Sequence, residues 1–346
     1  MEGLAASNPG LYGAWMRKLS TFAAAAVAGL VLAGLALAGC ASGQARKAAP
    51  QNALAGVSFF VDPGSPAAQQ AAEWRSQGRL ADAAAMARIA SQPTATWLTG
   101  GEDVEASVRA LTKRAALAHQ SALLVAYDVP GRDCSGYSAG GARSGLEYRA
   151  WISRLAAGIG GRRATVILEP DAIAQTLSRC LSASAVAERY ALLSYAVTQL
   201  KAHRQATVYV DAGNIGWIRP AARLAGPLRR AGVARADGFA LNVSNFYGSS
   251  DTTSYGRALA AVLGGAHFVI DTGRNGNGPD VHAADGPAWC NPPGRALGHQ
   301  PTTDTGIAMV DAYLWIKQPG FSDGSCRPGE PPAGGWWPEY ALALAR

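Results

Sequence analysis

Seven short runs rich in β-branched and aromatic residues recur along the chain, at 94–99, 123–129, 165–168, 207–210, 238–243, 267–270 and 312–316. Longer stretches with apolar residues at three- and four-residue spacing separate most of them, among them 146–159, 185–201 and 220–231, as in crossover helices. Strands joined by helical crossovers must run parallel, because a hairpin has no room for a helix. No glycine-rich phosphate loop follows the first run, so a barrel related to the (β/α)₈ type is expected rather than a doubly wound sheet. The Gly/Pro-rich stretch 272–305 reads as a long loop, and loops of that length usually line a site.

The first forty residues stand outside this pattern. Arg17 and Lys18 precede an uncharged Ala/Leu/Val/Gly run over 22–38, the order of an export signal. The run ends in Leu37, Ala38, Gly39 and Cys40, which resembles a bacterial lipobox with Cys40 as the lipid-bearing residue. The expected layout is a signal peptide at 1–40, a flexible tether at 41–56 and one catalytic domain at 57–346. A secreted protein, held by Cys40 on the outer side of the cell membrane and acting as a monomer, is expected.

The formal charge of +7 invites a nucleic-acid reading. Its distribution opposes one, because the densest basic stretch, 219–235, sets its arginines among Ala, Leu and Pro without aromatic residues for base stacking. Setting Cys40 aside leaves four cysteines, Cys134, Cys180, Cys290 and Cys326, in a chain bound for an oxidising compartment, and two disulfides are the natural reading. Three pairings are possible; Cys134–Cys180 with Cys290–Cys326 is preferred because each pair flanks adjacent elements. The histidines His119, His203, His267, His282 and His299 show no paired ligand spacing, so neither a metal nor another cofactor is expected.

Acidic residues cluster at or just past the ends of the strand runs: Asp128 and Asp133, Glu169 and Asp171, Asp211, Asp271, and Asp323. In a parallel barrel these positions converge on one face. Carboxylates crowded there repel one another, so some must pair with cations or backbone donors while others retain a proton near neutral pH. A retained proton is what a general acid needs, and glycoside hydrolysis uses such a carboxyl beside an ionised partner.

Longer strings sharpen this class. VAYDVPGRDC at 125–134 and VILEPDAI at 166–173 resemble the two signatures of family 6 glycoside hydrolases, and YVDAGNIGW at 209–217, VIDTGRNGNGP at 269–279, WCNPPGRALG at 289–298 and LWIKQPG at 314–320 are similar to further stretches of it. The resemblance implies a distorted seven-stranded parallel β/α barrel that cuts β-1,4-glucan with inversion. It makes Asp171 the proton donor, Asp133 the aspartate that raises the donor's pKa, and Asp323 the base, a role disputed within the family. Trp97, Trp217 and Trp289 correspond to sugar-stacking tryptophans, Asn245 and Lys317 to polar substrate contacts, and Tyr127 to a tyrosine that crowds the ring at the cleavage point. Trp151 and Trp315 read as core. Two departures stand out: Asn214 where the family usually has histidine, and Phe321 where it has glutamate. They motivate an alternative, a glucan-binding lipoprotein with weak or no turnover; an exo-acting cellobiohydrolase is a second alternative.

Overall fold

A computed structural model describes residues 51–346, apart from Glu102 and 282–285. The export segment, Cys40, residues 41–50 and His282 lie outside the described residues. Seven parallel strands form one curled sheet in sequence order: β1 (Thr96–Leu98), β2 (Ala122–Ala126), β3 (Ala164–Leu168), β4 (Ala206–Asp211), β5 (Gly238–Leu241), β6 (His267–Asp271) and β7 (Val310–Leu314). The helices in chain order are α1 (Pro66–Ser76), α2 (Leu80–Ala90), α3 (Val104–Leu117), α4 (Gly145–Ile159), α5 (Ala172–Gln175), α6 (Ala183–Lys201), α7 (Ala225–Arg230), α8 (Ser249–Val262) and α9 (Pro338–Ala345). Serine or aspartate caps begin several of them: the side chains of Ser65, Asp103, Ser144 and Ser182 each accept the backbone N–H three residues on.

Strands β2 to β7 are buried on both faces, and alternate positions supply two separate cores. Leu123, Val125, Ile167, Tyr209, Val269 and Leu314 fill the barrel interior, whereas Leu124, Val166, Val208, Phe239 and Ile270 pack against the crossover helices. Gly238 is required where β5 enters the sheet, since a Cβ there would meet the His267 carbonyl oxygen at 2.1 Å. A third cluster joins α1, α2 and α9 beside Trp315.

The barrel is distorted at its seam. The residues just before β1 and just after β7 meet in one parallel bridge, Thr94 to Trp315, with the Ala95 N–H donating to the Trp315 carbonyl at 3.1 Å. The other end is plugged by the N-terminal segment. Asn52 donates to the Asp311 carbonyl at 3.0 Å, Leu54 is fully buried in the interior core, and the Phe60 N–H donates to the Ser121 carbonyl at 3.0 Å. Residues 51–56, which small polar composition marks as tether, thus lie on the barrel, and the compact domain begins before Val57.

The expected helix over 220–231 is two pieces, a 3₁₀ turn at Ala221–Leu224 followed by α7. Pro227 lacks the N–H that a continuous α-helix needs at that point. Among the described residues, no helix is long and apolar enough to cross a membrane.

Candidate active site

Asp171 follows β3 and caps the short helix α5 with left-handed backbone angles, φ 69° and ψ −20°. Glu169, two residues earlier, also has positive φ, 50°. Such conformations cost about 1–3 kcal/mol each in a non-glycine residue and persist only where the surroundings enforce them. Here two buried carboxylates do so. Asp211, the last residue of β4, accepts the Asp171 N–H at 2.8 Å and the Gly213 N–H at 3.0 Å. Glu169 turns beneath the site and accepts the N–H groups of Asp128 and Val129, each at 3.0 Å, which pins the strand end of β2 to that of β3.

Asp133 lies in a loop after β2 where three successive residues, Asp133, Cys134 and Ser135, have positive φ. Its carboxylate accepts the Ser138 N–H at 2.7 Å and the Ser138 hydroxyl at 2.9 Å, and Ser138 Oγ lies 3.0 Å from the Tyr127 hydroxyl. The Cys134–Cys180 disulfide joins this loop to the segment following α5, so the Asp133 and Asp171 loops are covalently tied. Cys290 and Cys326 form the second disulfide, the pairing preferred from the sequence. Glu330 gathers with these two sulfurs, but their bond to each other removes them as metal ligands.

Burial pushes the Asp171 carboxyl up to about 7, helped by the negative charges of Asp133 and Asp323 and opposed by Lys317. Asp323 goes the other way. Burial alone would raise it, but the Arg274 and Lys317 charges hold it below the usual carboxylate range. Arg274 Nη1 and Nη2 bind the two Asp323 oxygens at 2.8 and 2.9 Å, and Lys317 Nζ lies at 3.4 Å. The Asn291 N–H donates to the same carboxylate at 3.1 Å, and the Asn291 side chain accepts the Asp323 N–H at 2.7 Å. A carboxylate held this way binds a proton weakly, which tells against the base role that the resemblance gives Asp323.

The aromatic residues are placed unevenly. Trp97 meets Tyr127 edge-on with ring centroids 5.2 Å apart, has Lys317 Nζ 5.7 Å from its ring, and donates from Nε1 to the Ile316 carbonyl. Trp217 and Trp289 are exposed, at 38% and 46%. Trp217 Nε1 donates to Ser178 Oγ at 2.9 Å, and Trp289 leans on Tyr137. Trp151 and Trp315 are core, each at most 2% exposed. Lys317 is buried and donates to the Ser322 carbonyl, and the Asn245 side chain accepts its neighbour's N–H, from Phe246. Gly324 holds two loops together: with φ 151°, a Cβ there would sit 2.4 Å from the Tyr137 Cβ, so only glycine lets the Asp133 loop approach the segment after Asp323.

Both departures have local uses. Asn214 is buried and its side-chain oxygen accepts the Gly216 N–H at 3.0 Å, closing a tight turn. Phe321 packs on Trp336, with centroids 5.3 Å apart, so Trp336 supports the loop that carries Asp323. Sequence reasoning gave no role to Arg274, Arg132, Ser138 or Asn291. Arg132 donates to the carbonyls of Thr99, Tyr127 and Ser138 and covers the Tyr127 ring at 4.9 Å. Arg274 is 1% exposed, and the one signal for it is a charged residue set inside a Gly/Asn-rich turn directly after a buried strand.

The raised carboxyls have a consequence for stability. Burial first of all lifts Asp128, Glu169 and Asp171 from 3.8, 4.5 and 3.8 to about 7. A group whose folded pKa is raised favours the folded state fully below its unfolded pKa and loses that contribution as pH rises through the folded value. The melting temperature is therefore expected to fall between about pH 4 and pH 8. Asp323 has the opposite sign, its contribution being lost as pH falls below the ordinary aspartate range. Calorimetry across this range checks the slope, and Asp128→Asn is expected to flatten it; a flat or rising wild-type profile would contradict the assignment.

Comparison with known proteins agrees with the geometry. Residues 54–346 match the sequence profile described as "Glycosyl hydrolases family 6". Endoglucanase A of Thermobispora bispora is 45% identical over 272 residues, covering 77% of this chain and 58% of that protein. Endoglucanase A of Cellulomonas fimi is 42% identical over 294 residues, covering 83% and 61%. The chain thus spans about three-fifths of the length of these two relatives. A solved structure of the endoglucanase Cel6 from Mycobacterium tuberculosis, in complex with methyl-cellobiosyl-4-deoxy-4-thio-β-D-cellobioside, superposes with TM-score 0.78 at 44% identity, covering 85% of this chain and 98% of that one. With the profile spanning nearly all of the barrel, the chain belongs to the glycosyl hydrolases of family 6.

Proposed function

We propose that the protein is a secreted, inverting endo-β-1,4-glucanase. The observation that carries this reading is a partly exposed carboxyl, Asp171, pushed up to about 7 at the C-terminal end of a barrel strand, beside a second carboxylate, Asp323, that two cations keep ionised. Asp171 delivers its proton to the glycosidic oxygen as the bond to the anomeric carbon breaks. Asp133 keeps that proton in place by like-charge repulsion of the ionised form. Water attacks the opposite face of the sugar, and the product anomer is inverted. Asp323 acts as a fixed negative charge toward the oxocarbenium-like transition state, and the proton released by the attacking water passes to solvent water.

Trp97, Trp217 and Trp289 present ring faces to the C–H faces of glucose, and Asn245 and Lys317 supply polar contacts. Tyr127, locked between Trp97, Arg132 and Ser138, crowds the ring at the cleavage point. Endo action is supported by the endoglucanase relatives at 42–45% identity, against 32–34% for several fungal cellobiohydrolases. The reading of a lipid tether on the outer side of the membrane is supported by the export-like segment and the lipobox-like sequence around Cys40.

The test is hydrolysis of carboxymethylcellulose and mixed-linkage β-glucan. The expected result is a steep fall in viscosity while few reducing ends have appeared. Reducing ends without loss of viscosity would make the enzyme exo-acting, and no release from either glucan would leave a binding protein.

A further inference from the structure

The end of the barrel opposite the acidic cluster carries a pocket of about 220 Å³, at the starts of β2, β3 and β4. Ala53, Val57, Arg163, Lys201, Arg204 and Asp237 are among the residues that line it. Basic groups are common where helices end, because the last carbonyls call for donors. Arg162, adjacent to the pocket, is used that way, donating to the Gly158 carbonyl near the end of α4 and to Thr112. Lys201 is engaged otherwise: it donates to the Ala206 carbonyl at the start of β4 and pairs with Asp237 at 2.7 Å. Arg163 and Arg204 have neither use. Both are exposed, and among the described residues neither guanidinium has a hydrogen bond or ion pair, while the acid lining the pocket is already taken by Lys201.

The N-terminal segment lies on this same face. Asn52 is fixed to the carbonyls of Thr303 and Asp311, and Ala53 and Val57 form one wall of the pocket. Cys40 lies twelve residues before Asn52 in the sequence. Residues 41–51 reach at most about 40 Å when fully extended, and they include two further cations, Arg46 and Lys47.

We propose that this face docks on the membrane surface, with Arg163 and Arg204 binding the phosphate of an anionic phospholipid headgroup, so that the glucan cleft opens away from the membrane. The proposal rests on the lipid-tethered reading of Cys40. A guanidinium fork matches two phosphate oxygens, and anionic lipid attracts basic side chains over a screening length. A lipid anchor supplemented by a basic patch holds a protein in one orientation where a tether alone leaves it to tumble.

The test uses the full chain from a host that processes bacterial lipoproteins, mixed with phosphatidylcholine vesicles with or without about a third phosphatidylglycerol. Flotation reports attachment, and phenylglyoxal labelling read by mass spectrometry reports the exposure of individual arginines. The expected result is flotation with both vesicles and labelling of Arg163 and Arg204 at least about fivefold slower on the anionic ones, with Arg257 on α8 unchanged. NaCl at about 0.5 M should abolish the difference, and Arg163→Glu should restore Arg204 labelling while leaving hydrolysis of soluble glucan unchanged. Equal labelling on both vesicles overturns the proposal, as does equal protection by inorganic phosphate alone, which would mark a free-anion site. If the chain fails to float with neutral vesicles, the tether reading fails by itself. Salt-sensitive protection on anionic vesicles then still supports the docking face, and its absence overturns it.

Discussion

Replacing Asp171 with Ala is expected to lower the rate on β-glucan by about 10³-fold, within the range that a lost general acid produces, while a substrate whose leaving group needs no proton loses less than about tenfold. The contrast follows from what the side chain does. An alkoxide sugar leaves poorly without a proton, whereas a dinitrophenolate leaves unaided, so a 2,4-dinitrophenyl cellooligosaccharide bypasses the donor. The variant should fold, because the hydrogen bond that fixes this turn runs from the Asp171 backbone N–H to Asp211 and survives truncation of the side chain. Kinetics on both substrates check this. Equal losses on the two would mean that Asp171 positions the substrate and does not protonate it.

The second large effect lies at Arg274. This side chain is buried, binds both oxygens of Asp323, donates to the Ser244 carbonyl at 2.7 Å and stacks over Phe246 at 4.4 Å. Arg274→Met leaves Asp323 with Lys317 as its one cationic partner among the described residues, and breaking a buried pair by removing one member costs about 3–5 kcal/mol. Urea unfolding should show a loss of that size, and activity should fall at least about tenfold because Asp323 is no longer held as a fixed charge. The double variant Arg274→Met/Asp323→Asn removes the stranded charge. It is expected to recover much of the stability and none of the activity. Recovery of both would reduce the pair to a structural device.

Much of this fold was legible in the sequence, for a physical reason. A parallel sheet covered by helices imposes two periodicities, and Leu124, Val166 and Val208 on one face with Val125, Ile167 and Tyr209 on the other leave strand signals that survive even in short runs. The carboxylates after the strands were legible for the same reason, since chain order places strand ends on one face. What carboxylates do once there depends on partners distant in sequence. Asp323 and Arg274 are 49 residues apart, and no local pattern marks their pairing.

Glu169 reads as half of an acidic pair with Asp171, yet it is a buried acceptor for two backbone N–H groups of the neighbouring loop. The N-terminal plug was missed because Asn52 and Leu54 sit in a polar, small-residue segment, and their value comes from contacts with β7 and the barrel interior on the far side of the sequence. Phe321 and Trp336 were separated by a Gly/Pro-rich stretch that gives no periodicity to read.

Inversion with Asp171 as the donor is the central claim, and proton NMR of the first product tests it most directly. Fresh hydrolysis of a β-1,4-oligosaccharide should show the α-anomer of the newly formed reducing end before mutarotation, with no such signal from Asp171→Ala. A β-anomer as first product, or an α-anomer formed at an unchanged rate by the variant, would contradict it.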